Sequence, residues 1–362
     1  MKRRSVLLLA AVGACLSLAV TAMGQDAAAP EGASACAALD ELRDGAPTSR
    51  QHPLLDNCVG EMLSELAEAA SSPLTIDRGI SDFDEQFRAH YRHEDNSRAF
   101  KEKFAERAAP LLRAELAKGQ ELPPERARVI SRGLLVLNSL LCREALVDGL
   151  AFPDQVVRYL SAKGLIAING EIDDDAQLTQ RTLNVLARAG ESEANGVVVA
   201  MIYRACAYEN EARSAEAVNA ILRILDGRLA LLRRLGKNFD RAELVAVDVL
   251  DAAVDRGRLN DDVGAEIVRR LAPLLRMHTQ RFGQDGVQEH EIEALKDTID
   301  VTETLLKKVV APSSPPGISE KMQKGGDGVA AEMELELVEW IGTEQDEGVL
   351  NRAPWNVPRG AP

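Results

Sequence analysis

The amino-acid sequence predicts an all-α fold: stacked helical hairpins, with an N-terminal helical subdomain before them and an extended C-terminal tail after them. Three observations predict it. Apolar positions recur with the helical period, most clearly at Val157, Leu160, Ser161, Gly164, Leu165 and Ile168. Apolar residues make up 46% of the chain and aromatic residues only 4%, a poor composition for a β-sandwich or a ring-lined sugar groove. Between residues 121 and 311 the periodic segments fall into pairs, punctuated by Pro153, Gly190, Gly236, Gly257, Gly283 and Gly286.

Residues 1–24 have the order of a secretory signal. Lys2, Arg3 and Arg4 precede an apolar run over residues 6–20, and small residues follow at Ala22 and Gly24. The run is short for a bilayer span, which needs about 20 apolar residues. A retained anchor, or a lipoprotein signal ending at Cys15, is the alternative reading. No later segment is apolar enough to span a membrane. The expected location is therefore exported, periplasmic or extracellular, with no membrane attachment after cleavage.

The formal net charge is −14, and loss of residues 1–24 removes three cations and no anions. Such a surface repels nucleic acid and anionic lipid. The basic run Arg233, Arg234 and Lys237 reads as the C-terminal end of a helix, where cations suit the dipole.

Residues 25–120 form the expected N-terminal subdomain, after an Ala- and Pro-rich start. Leu54, Leu55, Cys58, Met62, Leu66 and Ala69 lie on one stripe of a helix over 53–70. Helices over 81–93 and 96–118 follow, and Phe83, Phe87, Tyr91, Phe100 and Phe104 concentrate there as a local core. Pro110 is expected to kink the last of these.

Residues 121–311 predict four hairpins: 125–149 with 153–168, 176–189 with 192–208, 214–235 with 240–254, and 262–282 with 289–310. Their second helices begin roughly 39 to 49 residues apart. Pro153 and Asp154 start the best of them, in which Arg158 directly follows Val157 and the small Ala162 comes after it. That stretch, from Pro153 to Ile168, resembles the core of a HEAT repeat. The resemblance implies a HEAT-like α-solenoid and, by analogy of fold, a protein-binding role. The other hairpins match in spacing only, and an irregular helical bundle is the alternative. Residues 312–362 follow as a Pro-rich linker, a short element over 329–341 and a tail with Pro354, Pro358 and Pro362. Met333, Leu335 and Leu337 leave helix and strand open for the short element.

Cys36, Cys58, Cys142 and Cys206 remain beyond the signal. In an exported chain Cys36 and Cys58 are the local pair, and a bridge between them would contribute about 3 kcal/mol in the chain-entropy picture. No CxxC spacing suggests a redox motif or a zinc ribbon.

Chemistry-bearing motifs are sparse. His90 and His93 stand three apart and are the candidate metal pair, although a site needs a further ligand. His278 lies on an apolar stripe and reads as a core residue. Asp173, Asp174 and Asp175 lack the alternation and glycine of a calcium loop and read as a helix start. There is no phosphate loop, GxSxG elbow or GxGxxG turn. The sequence thus names no catalytic residue and no cofactor. The functional expectation is an exported, non-catalytic scaffold that binds an unidentified protein partner. Its surface is expected along the second helices, near Gln155, Arg158 and Tyr159. The alternative is an exported helical enzyme or metal-binding accessory domain, with its site near His90 and His93.

Overall fold

The computed structural model describes residues 34–359, except 73, 236–238, 257–259 and 327. The expected signal segment, including Cys15, and Lys237 lie outside the described residues. The described chain is all helix and connecting loop, with no strand among the described residues.

The N-terminal helices are α1 (His52–Ala69), α2 (Ile76–Tyr91) and α3 (Arg98–Leu116). Next come α4 (Pro124–Leu137), α5 (Arg143–Gly149), α6 (Gln155–Ala167) and the short α7 (Asn169–Asp173). The middle of the chain forms α8 (Ala176–Ser192), α9 (Gly196–Ala205), α10 (Ser214–Leu235) and α11 (Ala242–Arg256). The last helices are α12 (Asp261–Phe282), α13 (Glu289–Val310), α14 (Ile318–Lys324) and α15 (Val329–Ile341).

These helices stack in two rows. One row runs α1, α3, α5, α8, α10, α12 and α15; the other runs α2, α4, α6, α9, α11, α13 and α14. Each helix packs on its neighbour in the row and on its partner across the rows. The exception is the step from α5 to α8, which is loose. A buried core runs through the stack from Ala35 to Val357. Val157 and Leu165 are fully buried in it, and Leu160 is buried beside them.

Local chemistry sets the helix ends. Ser97, Asp154, Asp175, Asn195 and Asn260 each cap a helix by accepting from first-turn amides. Of the aspartate run only Asp175 starts a helix; Asp173 ends α7 and accepts from the Asn210 amide, and Asp174 follows it as the C-cap. The expected first arm, 125–149, divides into α4 and α5. Asn138 takes a left-handed φ of 42° there, and the helical ladder stops. Gly190 does not end α8, which continues to Ser192. Its missing side chain instead admits Ile224 of α10, and Gly227 of α10 lies against the Glu191 carbonyl: a Cβ at Gly227 would stand 2.4 Å from that oxygen. These two glycines let α8 and α10 approach closely. Pro110 does not interrupt α3, on whose exposed side it lies.

The aromatic group expected near the N-terminus forms: Phe83, Phe87, Tyr91, Phe100 and Phe104 contact one another with centroid separations of 5.4–6.0 Å. The Tyr91 hydroxyl donates to the Leu137 carbonyl at 2.6 Å, joining α2 to α4. The C-terminal region departs further from expectation. Residues 329–341 are helical, and Met333, Leu337, Trp340 and Ile341 are buried. The unexpected α14 starts on buried Glu303 of α13, which accepts from the Ile318 and Ser319 amides at 2.8 Å and from the Trp340 indole at 3.2 Å. The tail is not free. Leu350 and Val357 are buried, and the Trp355 carbonyl accepts from Arg269 of α12. Its prolines read as extended chain, but its two apolar anchors fold it back onto the stack.

Candidate functional site

A groove of about 640 Å³ opens at the loose step between α5 and α8. Its origin is a mismatch in length: α5 has 7 residues and α8 has 17. At one end the two helices are joined, where the Arg143 guanidinium donates to Thr182 Oγ1 at 2.9 Å. At the other end α5 has already stopped, and α8 continues with α10 on one side and, among the described residues, no helix on the other. Val147, Leu150 and Phe152 form one wall, and Val185 and Ala189 of α8 form the other.

Arg158 holds the floor. Its Nη1 donates to the Phe152 and Pro153 carbonyls at 2.9 and 2.7 Å, which fixes the loop after α5. Its Nε and Nη2 donate to the Glu193 carboxylate at 2.6 and 3.2 Å. Glu193 also accepts from the Asn195 amide at 2.8 Å, and the Asn195 side chain donates to Gln155 Oε1 at 2.8 Å. Behind this joint, Arg128 hydrogen-bonds Asp154 and holds its carboxyl below the ordinary range. Gln155 and Arg158 therefore tie two hairpins together. Tyr159 is partly buried against the core.

The groove is continuous at Ser192 and Glu193 with a second one of about 530 Å³, between α8 and α10, where Gly227, Leu231 and Arg234 line it. Arg188 of α8 and Arg234 of α10 are exposed and have no carboxylate partner among the described residues. Both grooves lie in the row of first helices. The surface expected along the second helices is absent there, because their row is closed by continuous packing from α6 through α9 to α11.

The structure separates His90 from His93. α2 ends at Tyr91, so the helical spacing that would pair them is not maintained. His90 is half-buried, and burial with the nearby Arg43 charge lowers its pKa. His93 is partly exposed and its Nδ1 accepts from the Asp95 amide at 3.3 Å. Among the described residues no third ligand completes a metal group with the two histidines. Cys36 and Cys58 form the expected disulfide. Cys142 and Cys206 are free and buried, and burial pushes the Cys142 thiol up to about 12.

A buried polar cluster lies where α9, α10, α11 and α12 meet. Arg228 Nε donates to Glu243 Oε1 at 2.7 Å, and its Nη2 reaches Asp240 at 3.3 Å. Burial raises the Glu243 carboxyl above its ordinary range even beside this cation. His278 is buried edge-on to Phe239 at 4.9 Å, with its Nδ1 on the Leu274 carbonyl at 3.0 Å. Glu243, Tyr203 and His278 expose essentially nothing to solvent, so a substrate has no surface to contact there. The cluster ties helices together.

No family model, curated protein or solved structure matches the chain. No helix among the described residues is long and apolar enough to cross a membrane.

Proposed function

We propose that this protein is an exported, non-catalytic scaffold of HEAT-like type that binds an acidic, apolar-faced segment of a partner protein in the groove along α5, α8 and α10. The observation that carries the reading is the combination of an apolar channel with two uncommitted guanidinium groups, Arg188 and Arg234, on a chain whose net charge is −14. An apolar stripe in the ligand fills the channel between Val147, Leu150, Val185 and Ala189. Carboxylates of the same ligand meet Arg188 and Arg234, which supply orientation and a salt-dependent encounter rate. The disulfide, and the charged, apolar, small-residue order of residues 1–24, support export. The negative overall charge argues against nucleic acid as the ligand.

Selection of displayed random peptides on the immobilised mature chain tests this. The expected result is enrichment of sequences that combine Asp or Glu with Leu or Phe. Their binding weakens with salt and is lost in the Arg188→Glu, Arg234→Glu double variant. Enriched peptides that are basic, or that bind the double variant equally well, would refute the reading.

A further inference from the structure

Three elements converge beside the disulfide. Cys36 precedes the 3-10 turn Ala37–Leu42, Cys58 lies on α1, and His90 lies on α2. The two sulfurs and one His90 ring nitrogen all lie within 4.8 Å of one another. The histidine is held in place by its backbone: its carbonyl accepts from Arg43 Nη1 at 3.2 Å and from Asn96 Nδ2 at 2.6 Å. Both of those side chains belong to buried residues. Among the described residues no carboxylate belongs to this group, and Asp40 is bound to Arg43.

We propose that this triad is a latent site for a soft monovalent cation, Cu(I), which the disulfide keeps closed and reduction opens. The donor set points to a soft or borderline metal rather than a hard one. Two thiolates and one imidazole, with no oxygen ligand, suit Cu(I). Among the described residues three ligands are present, one short of the four that close a structural zinc site.

Opening is a thiol–disulfide exchange. A dithiol reductant attacks one sulfur, the S–S bond breaks, and a mixed disulfide forms; its second thiol then releases the protein cysteine. The products are two protein thiols and one oxidised dithiol. Cu(I) next displaces one proton from each thiol to solvent and takes the imidazole as third ligand, with no change in its oxidation state. The site is also the physical form that a metal function near His90 takes in this fold: the partners of His90 are Cys36 and Cys58, brought from other elements, rather than His93.

The test is an anaerobic titration of the mature chain with Cu(I), in competition with a chromophoric Cu(I) chelator, before and after reduction by a phosphine. The expected result is no uptake by the oxidised protein and one Cu(I) per chain after reduction. Uptake disappears in the Cys36→Ser, Cys58→Ser variant, which keeps Cys142 and Cys206 as an internal control. His90→Ala weakens it by at least about tenfold, since even partners outside the ligand sphere contribute that much. Circular dichroism of the reduced chain accompanies each titration. A folded reduced chain that takes up no Cu(I), or uptake unchanged by His90→Ala, overturns the proposal. So does a chain that unfolds on reduction, because its three donors then no longer share a site.

Discussion

The Arg158 guanidinium grips the Glu193 carboxylate through two nitrogens, at 2.6 and 3.2 Å, across the joint between the first two hairpins. Two of its three nitrogens thus serve the ion pair, and the third serves the loop that shapes the groove. A charge-assisted, forked contact of this kind is stronger than a neutral hydrogen bond. Glu193 is nearly buried, so removal of its partner leaves an acceptor that water reaches poorly.

Arg158→Ala and Glu193→Gln are each expected to destabilise the chain by about 1.5–3 kcal/mol. Urea unfolding gives the values. The double variant is expected to lose less than the two singles combined, because the second change removes a group already left unpaired. Strict additivity would show that the two side chains act independently.

Gly227→Ala probes the contact between α8 and α10. In an isolated helix the change favours folding by about 1 kcal/mol. Here the new Cβ would stand 2.4 Å from the Glu191 carbonyl, a backbone atom that cannot rotate away. The strain outweighs the propensity, and a fall in Tm is expected. A rise in Tm would show that the two helices do not approach this closely.

His278 makes stability depend on acid. Burial lowers its pKa from the ordinary 6.5 to about 4. In the unfolded chain the ring takes up its proton near 6.5, while the folded ring stays neutral. Between these values the unfolded state binds more protons, so this contribution is complete above about pH 6.5 and declines as pH falls towards 4. The slope approaches about 1.4 kcal/mol per pH unit at most. Comparison of unfolding free energy against pH for the native chain and His278→Leu isolates the effect: the variant's profile is flatter in that window. Parallel profiles would mean that the ring is protonated in the folded state.

The helical stack was legible wherever apolar stripes ran long. α12 and α13 begin and end within one residue of the expected segments 262–282 and 289–310. The break at Asn138 was not, because the apolar pattern continues across it while the backbone turns. Nor was α14, which depends on a carboxylate from a different helix, Glu303. The disulfide was readable from local spacing, but the place of His90 beside it was not. Spacing along α2 relates His90 only to residues of its own helix. The groove was hidden for a similar reason. It exists because a short helix faces a long one, and neither sequence segment contains that relation. Arg158, expected on the binding surface, instead pairs with Glu193 and ties two hairpins together.

The most direct test of groove binding places a photo-crosslinking residue at position 189, in the wall of the groove, and another at the exposed position 163 on α6 as a control. Both chains are produced in the native host, irradiated, and their adducts digested and sequenced by mass spectrometry. The account predicts an adduct at 189 and none at 163, a linked peptide that combines acidic and apolar residues, and loss of that adduct when Arg188→Glu and Arg234→Glu are added. Equal adducts at both positions, or an adduct at 189 that survives the charge reversal, would contradict it.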